Sequence, residues 1–373
     1  MTTPAESIVG TSPLKRPSLI ADGFRDVGGS SYLPTLDGWR AVAIVGVLIC
    51  HGVYPLVQSN VHLADLAIRG AVGVDIFFAL SGFLICSRLI QEESRKGFIS
   101  LRNFYIRRCC RILPPYFAYV VFVAILSAAG YLALNRVEWL SSIFFCRNYL
   151  PPWALSNDRW YLAHFWSLSV EEQFYLMWPG ALVVFGCARA RWLALIVALP
   201  VAVWRVLPYG VNHPWLDPHW DKLLLGAALA IVLSDHENRE RFRRWMKPWL
   251  FVSLTVIAAL GIVKKLPISG GWMGFIFPVL LAATTLNPSW PVSRLLESAP
   301  LRWVGRLSYS LYIWQQFFLL GSHGTYFGIQ SFPLNFVAVF LCASASYYAI
   351  ERPMIAFGHR ITTSRRVFAL KTA

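Results

Sequence analysis

Apolar residues gather into ten stretches along the chain, around residues 39–57, 71–88, 113–134, 161–185, 191–207, 219–234, 248–264, 271–287, 306–320 and 333–350. Each approaches the length of about 20 residues that carries an α-helix across roughly 30 Å of hydrocarbon. The pattern predicts an all-α fold, a polytopic membrane helix bundle of about ten transmembrane helices. Residues 36–352 would form this membrane domain. Residues 1–35, rich in Pro, Gly, Ser and Thr, read as a disordered tail, and residues 353–373 as a basic tail.

Composition narrows the class further. With 56% hydrophobic and only 14% charged residues, a soluble globular fold is excluded. The net charge of +15 invites comparison with nucleic-acid binders, but its distribution argues otherwise. Of the 34 Lys and Arg, 25 fall in segments 1–38, 88–111, 186–192, 235–247, 287–306 and 351–373. These are the loops of one side, and the positive-inside rule makes that side, with both termini, cytoplasmic. Topology therefore accounts for the basic charge, and no nucleic-acid partner is implied; the partner is the membrane lipid. Seven cysteines without a CxxC pair indicate neither a disulfide framework nor a metal site.

Against this apolar background, ionisable residues inside a span mark function by default. The first stretch, WRAVAIVGVLICHGVYP, carries Arg40 and His51. Eleven helical steps return to nearly the same face, so the two share one stripe about 17 Å apart along the axis. The second stretch, GAVGVDIFFALSGFLI, embeds Asp75 and Ser81. Ser81 fits helix packing and substrate contact equally. The fourth, YLAHFWSLSVEEQFYLMWP, holds Glu171, Glu172 and Gln173, with His164 two turns before Glu171 on roughly the same face. Adjacent helix positions point about 100° apart, so the two carboxylates cannot share a partner.

Between the second and third stretches, FYIRRCCRILPPYF gathers Arg107, Arg108 and Arg111 on the cytoplasmic side, with Pro114 and Pro115 marking an abrupt entry into the membrane. Planar guanidinium groups suit phosphate in paired hydrogen bonds, and equally anchor a helix on anionic lipid. Counted from the outer ends of their stretches, His51, Ser81 and Glu171 reach similar depths and could meet at one level. A neutral His held by a carboxylate can take the proton of an attacking hydroxyl. Phosphates held at Arg40 and the Arg107 to Arg111 cluster would then lie about one pantetheine arm from His51, which suggests acyl-coenzyme A as donor.

At this point the residues resemble a family, the integral-membrane acyltransferase-3 family. LDGWRAVAIVGVLICH with Asp37, Arg40 and His51, GVDIFFALSGFLI, the Arg-x-x-Arg of Arg108 and Arg111, and WSLSVEEQFYLMWP with Trp166 each look like one of its signatures. WDKLLLGAALA with Asp221, LSYSLYIW with Tyr309, and the terminal IERP at Glu351 to Pro353 follow the same order. The resemblance implies about ten transmembrane helices, acyl-coenzyme A bound from the cytosol, an essential histidine at His51 and a place in the bacterial inner membrane. Two positions depart from it: His219, where many relatives carry Arg, and Gln315, where His is common.

The expectation is thus an O-acyltransferase moving an acyl group, in the simplest case acetyl, from acyl-coenzyme A to a hydroxyl of a carbohydrate or glycoconjugate. His51 would be the general base, oriented by Glu171 or by Glu172, with Ser81 near the developing oxyanion. Arg40, Arg107, Arg108 and Arg111 would hold the donor. Asp37, Asp75, His164, Trp166, Gln173, Asp221 and Tyr309 would contact substrate. Coenzyme A enters as a substrate, and no resident cofactor or metal is expected. The outer segment around 135–159, with Trp139, Trp153 and Trp160, offers aromatic faces to a sugar ring or to the lipid interface. A proton-coupled transporter of a glycan or small metabolite is the alternative, since it too places His, Glu and Asp at midplane.

Overall fold

The computed structural model describes residues 32–369, apart from 54–56, 58–59, 208–218, 265–268 and 321–326, so most of the expected N-terminal tail lies outside the described residues. Among the described residues the chain is all-helical, with no strand. Helix α1 (Pro34–Gly52) is followed by the short α2 (Val61–Ile68), then α3 (Val72–Lys96) and α4 (Leu101–Ala128). On the expected outer side stand α5 (Arg136–Ile143) and α6 (Trp160–Ala163), leading into α7 (Phe165–Val206). The remainder is α8 (Trp220–Ser234), α9 (His236–Trp245), α10 (Pro248–Lys264), α11 (Ser269–Leu286), α12 (Pro291–Leu296), α13 (Ala299–Phe318), α14 (Leu334–Ser346) and α15 (Arg352–Ala369). A π-helical turn, Tyr347–Glu351, joins the last two, so a helix occupies most of the expected basic tail.

Among the described residues four helical segments are long and apolar enough to cross a membrane: His62–Lys96, Leu101–Ala128, Trp160–Val206 and Leu334–Thr363. A fifth is reached if α9 and α10, bent by 79°, count as one. This is fewer than the ten apolar stretches, partly because one of the four is two limbs. As a straight helix, Trp166 and Arg205 would stand about 58 Å apart. Instead, the Trp166 ring lies 4.8 Å from the His219 ring, whose Nδ1 is 3.2 Å from Arg205 Nη2. The break is at Gly186, whose φ of 67° and ψ of 163° are open to glycine and strained for other residues. Stretches 161–185 and 191–207 are therefore antiparallel limbs of one hairpin. The outer surface of α4 agrees with a lipid-facing side: Phe117, Val121 and Ile125 recur at four-residue spacing and are exposed.

Close backbone approach sets the interior. A Cβ at Gly82 of α3 would overlap the Leu223 carbonyl oxygen of α8, and Gly226 of α8 meets the Ala79 carbonyl in return. Any larger residue at either position would force these helices apart. Helix α1 runs antiparallel to α3, with Gly73 against Ala43 and Gly70 against Gly46. The expected abrupt membrane entry at Pro114 and Pro115 is not what forms: both lie inside the continuous α4. Tyr309 of α13 donates to the Ile112 carbonyl at 2.8 Å just before them, fixing the helix there. Arg107, Arg108 and Arg111 thus stand on one rigid helix rather than in a loop.

Candidate active site

Two tiers of polar groups form along the axis of α1, and they are not at the same depth. His51 falls in the last turn of α1, because that helix begins at Pro34 and ends at Gly52, well short of the apolar stretch that continues to residue 57. Ser81, eight residues beyond Gly73 on antiparallel α3, comes level with the first turns of α1. On the α6–α7 side, Trp160 packs edge-on against His51 at 5.0 Å, while Ser81 Oγ donates to Glu171 Oε1 at 2.6 Å. Trp160 and Glu171 are separated by about 16 Å of helix. The expected meeting of His51, Ser81 and Glu171 at one level is corrected by this register.

The upper tier consists of an imidazole, two amides and an indole. His51 Nδ1 is 2.7 Å from Gln315 Oε1, so its polar partner is an amide from α13 and not a carboxylate. Gln315 Nε2 donates to Gln316 Oε1 at 2.7 Å, and Gln316 Nε2 donates to the Trp160 carbonyl at 2.8 Å. Trp160 Nε1 closes the loop onto the Gln316 carbonyl at 3.0 Å. His164 is buried nearby among Tyr119, Phe165 and Tyr312.

The lower tier is charged. Tyr175, one turn beyond Glu171, donates to Ser81 Oγ at 3.1 Å, and the Arg108 guanidinium lies over its ring at 4.9 Å from the centroid. These residues border a narrow shaft of about 80 Å³ that rises past Phe77 and Tyr309 to Tyr312 and Ser167. Below it opens a basin of about 670 Å³, bordered among the described residues by Arg40, Arg88, Arg95, Lys96, Arg107, Arg108, Arg111 and Arg306 against the carboxylates of Asp37, Glu92 and Glu351. Arg40, Arg108 and Arg111 line both spaces and so form the throat between them. Asp37 aims Arg40 through a 2.7 Å ion pair and is itself held by Tyr32 at 2.6 Å. A surplus of guanidinium groups at a pocket floor favours a polyanion, and their planarity favours phosphate.

The other residues singled out in the sequence are more dispersed. Arg107 borders the basin and faces Glu92 at 3.5 Å. Glu172, turned away from Glu171, lies on the side of Cys109 and Tyr116 of α4, as the 100° between neighbours requires. Asp75 pairs with Lys222 at 2.6 Å, and Asp221 receives both terminal nitrogens of Arg205 at 2.9 and 3.1 Å. The guanidinium beside Asp221 thus comes from α7 rather than from position 219. Gln173 ties the outer segment down, donating to the Phe145 carbonyl and to Asn148 Oδ1. Trp166 packs against Phe78 and His219. Tyr309 lines the shaft while its hydroxyl holds α4.

Several site residues escaped the sequence reading. Tyr175 stands four positions after Glu171, a spacing that signals a shared face. Gln316 follows Gln315, which the sequence singled out only as a departure from the family, and the two form a polar pair inside the apolar run YIWQQFF. Glu351, fully buried on the π-helical turn and bordering the basin, is bonded by Ser310 Oγ at 3.0 Å. Arg88 and Arg306 read as topology signals and turn out to line the basin.

With this geometry in view, comparison with known proteins places the chain. The acyltransferase domain family, acyltransferase-3, matches residues 33–351. YrhL of Bacillus subtilis (strain 168), whose name carries peptidoglycan O-acetyltransferase as a provisional assignment, is 31% identical over 90% of this chain and 57% of its own length. The peptidoglycan O-acetyltransferase OatA of Listeria monocytogenes is 29% identical over 87% of this chain and 56% of its own. The chain thus spans a little over half the length of the curated relatives it matches. No solved structure matches it.

Proposed function

The chain belongs to the acyltransferase-3 family, matched over residues 33–351, and from that premise we propose that it is a membrane O-acyltransferase. It takes an acyl group, in the simplest case acetyl, from acyl-coenzyme A in the cytosol and delivers it to a hydroxyl of a carbohydrate. The names of YrhL and OatA make a peptidoglycan-type glycan the first acceptor to test. The full bundle has about ten transmembrane helices in a bacterial inner membrane, with both termini cytoplasmic.

One observation carries this reading: Arg40, Arg108 and Arg111 ring the throat between a wide basic basin and a narrow shaft. That shape suits a ligand with a bulky polyphosphate head and a thin flexible arm. The head stays among the arginines while the arm rises past Ser81 and Glu171 toward His51. The arm must widen the shaft above Tyr312, whose hydroxyl is bonded to Ser167 Oγ and to the His164 carbonyl. At the upper tier, His51 accepts the proton of the acceptor hydroxyl as its oxygen bonds to the thioester carbonyl carbon. The carbon–sulfur bond then breaks, and the coenzyme A thiolate leaves and recovers that proton.

Acetyl-coenzyme A turnover by the purified protein in lipid nanodiscs, with glycan fragments as acceptors and free thiol as readout, tests the assignment. Turnover that needs both an acceptor and His51 supports it. Acceptor-independent solute movement with no thiol release would replace the enzyme by a transporter.

A further inference from the structure

The amide relay at the upper tier determines which nitrogen of His51 is free to react. An amide is directional, since its oxygen only accepts and its NH₂ only donates, and a backbone carbonyl only accepts. The relay ends on such a carbonyl, that of Trp160, so the Gln316 atom facing it at 2.8 Å must be Nε2. Gln316 therefore presents Oε1 to its neighbour, and Gln315 must answer with Nε2 at 2.7 Å. That leaves Gln315 Oε1 as the atom 2.7 Å from His51 Nδ1, and an oxygen acceptor there requires a proton on Nδ1. Gln315 and Gln316 are 0% and 1% exposed, so water does not compete to reverse the amides.

We propose that Gln315 is a positioning residue for acyl transfer: through Gln316 and the Trp160 carbonyl it fixes His51 in the Nδ1–H tautomer, leaving Nε2 as the nitrogen that takes the acceptor's proton. This rests on the reading of His51 as the base and adds the device that orients it. In the neutral ring one nitrogen donates and the other accepts, and only the accepting one can serve as a base. Because Nδ1 keeps its proton when Nε2 gains one, the bond to Gln315 survives proton uptake and the ring does not need to turn during the reaction. A carboxylate partner would hold the ring equally but would add a negative charge beside an incoming thioester. The amide holds it without that charge. The edge-on indole of Trp160, 5.0 Å away, closes the remaining side of the ring.

The test is nitrogen NMR of the full-length protein in nanodiscs with ¹⁵N-labelled histidine, at a pH where the ring is neutral. His51 is assigned by the resonances that vanish in His51→Ala. The wild type is expected to show protonated Nδ1 and bare Nε2. Gln315→Glu, which can still accept from Nδ1, is expected to keep that pattern, and Gln315→Leu to lose it. In turnover, Gln315→Leu should lower kcat about a hundredfold, the scale of general-base catalysis, with the donor KM within about twofold. A wild-type His51 protonated on Nε2, or a Gln315→Leu that keeps both the Nδ1 proton and full kcat, overturns the inference. A fully active His51→Ala would instead overturn the base assignment itself, so the two failures are distinguishable. Should Gln315→Leu fail to fold, the wild-type spectrum and Gln315→Glu still decide.

Discussion

The two tiers solve opposite electrostatic problems within one bundle. At the upper tier a chain of hydrogen bonds runs from the His51 ring through Gln315 and Gln316 to the Trp160 carbonyl, and the Trp160 indole bonds back to the Gln316 carbonyl. At the lower tier Arg40, Arg108 and Arg111 crowd together around Ser81 and Glu171 with fewer carboxylates than guanidinium groups. The first arrangement gives each of its two amides a donor and an acceptor within the protein. The second is short of negative charge, and on the proposed reading an anionic donor would complete it. An arrangement whose bonds are already satisfied suits orientation, and one short of counter-charge suits binding. A separation of about 16 Å of helix would let a ligand be held at one end and react at the other.

The largest expected effect follows from that division. His51→Ala should reduce acyl transfer by at least about a hundredfold, the usual scale of a lost general base. Coenzyme A affinity, measured by calorimetry on the same sample, should stay within about twofold. Loss of affinity together with turnover would mean that the tiers are not separate. The converse substitution is Arg108→Ala with Arg111→Ala. Charged hydrogen bonds are worth about 1.5–3 kcal/mol each, so the pair should weaken coenzyme A binding by at least about a hundredfold while kcat at saturating donor changes little. Combining Arg111→Ala with Gln315→Leu then tests distance directly. Groups more than about 10 Å apart that share no partner should give additive losses in kcat/KM, within about 0.5 kcal/mol.

How much of this the sequence disclosed depends on the kind of signal. The helical class and the segregation of Lys and Arg are one-dimensional properties, visible as runs and counts. Arg108 and Arg111 were legible because three-residue spacing on a helix fixes a common face whatever the tertiary fold, and Arg40 because an ionisable residue stands out in an apolar stretch. Depth was not legible. The apolar stretch 39–57 overshoots α1 at one end and misses its start at the other, and a shift of five residues moves His51 by about 8 Å. Long-range pairing was hidden for a different reason. Glu171 and Gln315 are both polar residues in apolar helices, and only the packing of α3 on α7 and of α1 on α13 assigns Ser81 to the first and His51 to the second. At Gly186 the two stretches that the sequence separates are indeed two limbs, and a single glycine rather than a loop turns one into the other.

The smallest expected effect lies inside the lower tier and concerns redundancy. Ser81 Oγ donates to Glu171 Oε1 at 2.6 Å and accepts from the Tyr175 hydroxyl at 3.1 Å, so three groups form one short chain. Tyr175 and Glu171 are one turn apart on the same helix, which brings the phenol within reach of the carboxylate if the serine is removed. Ser81→Ala alone should therefore lower kcat/KM only about threefold, because Tyr175 takes over the carboxylate. Tyr175→Phe should be similarly mild, with Ser81 still in place, although its ring continues to carry the Arg108 guanidinium. The double variant removes both donors and leaves a buried carboxylate without a hydroxyl from either residue, at a cost of about 1–3 kcal/mol. Its loss should exceed the product of the single losses by about fivefold, measured as a double-mutant cycle in acetyl-coenzyme A turnover. Strict additivity would mean that Ser81 and Tyr175 act on different partners, and the lower tier would then be a set of separate contacts with the ligand rather than one chain that holds Glu171.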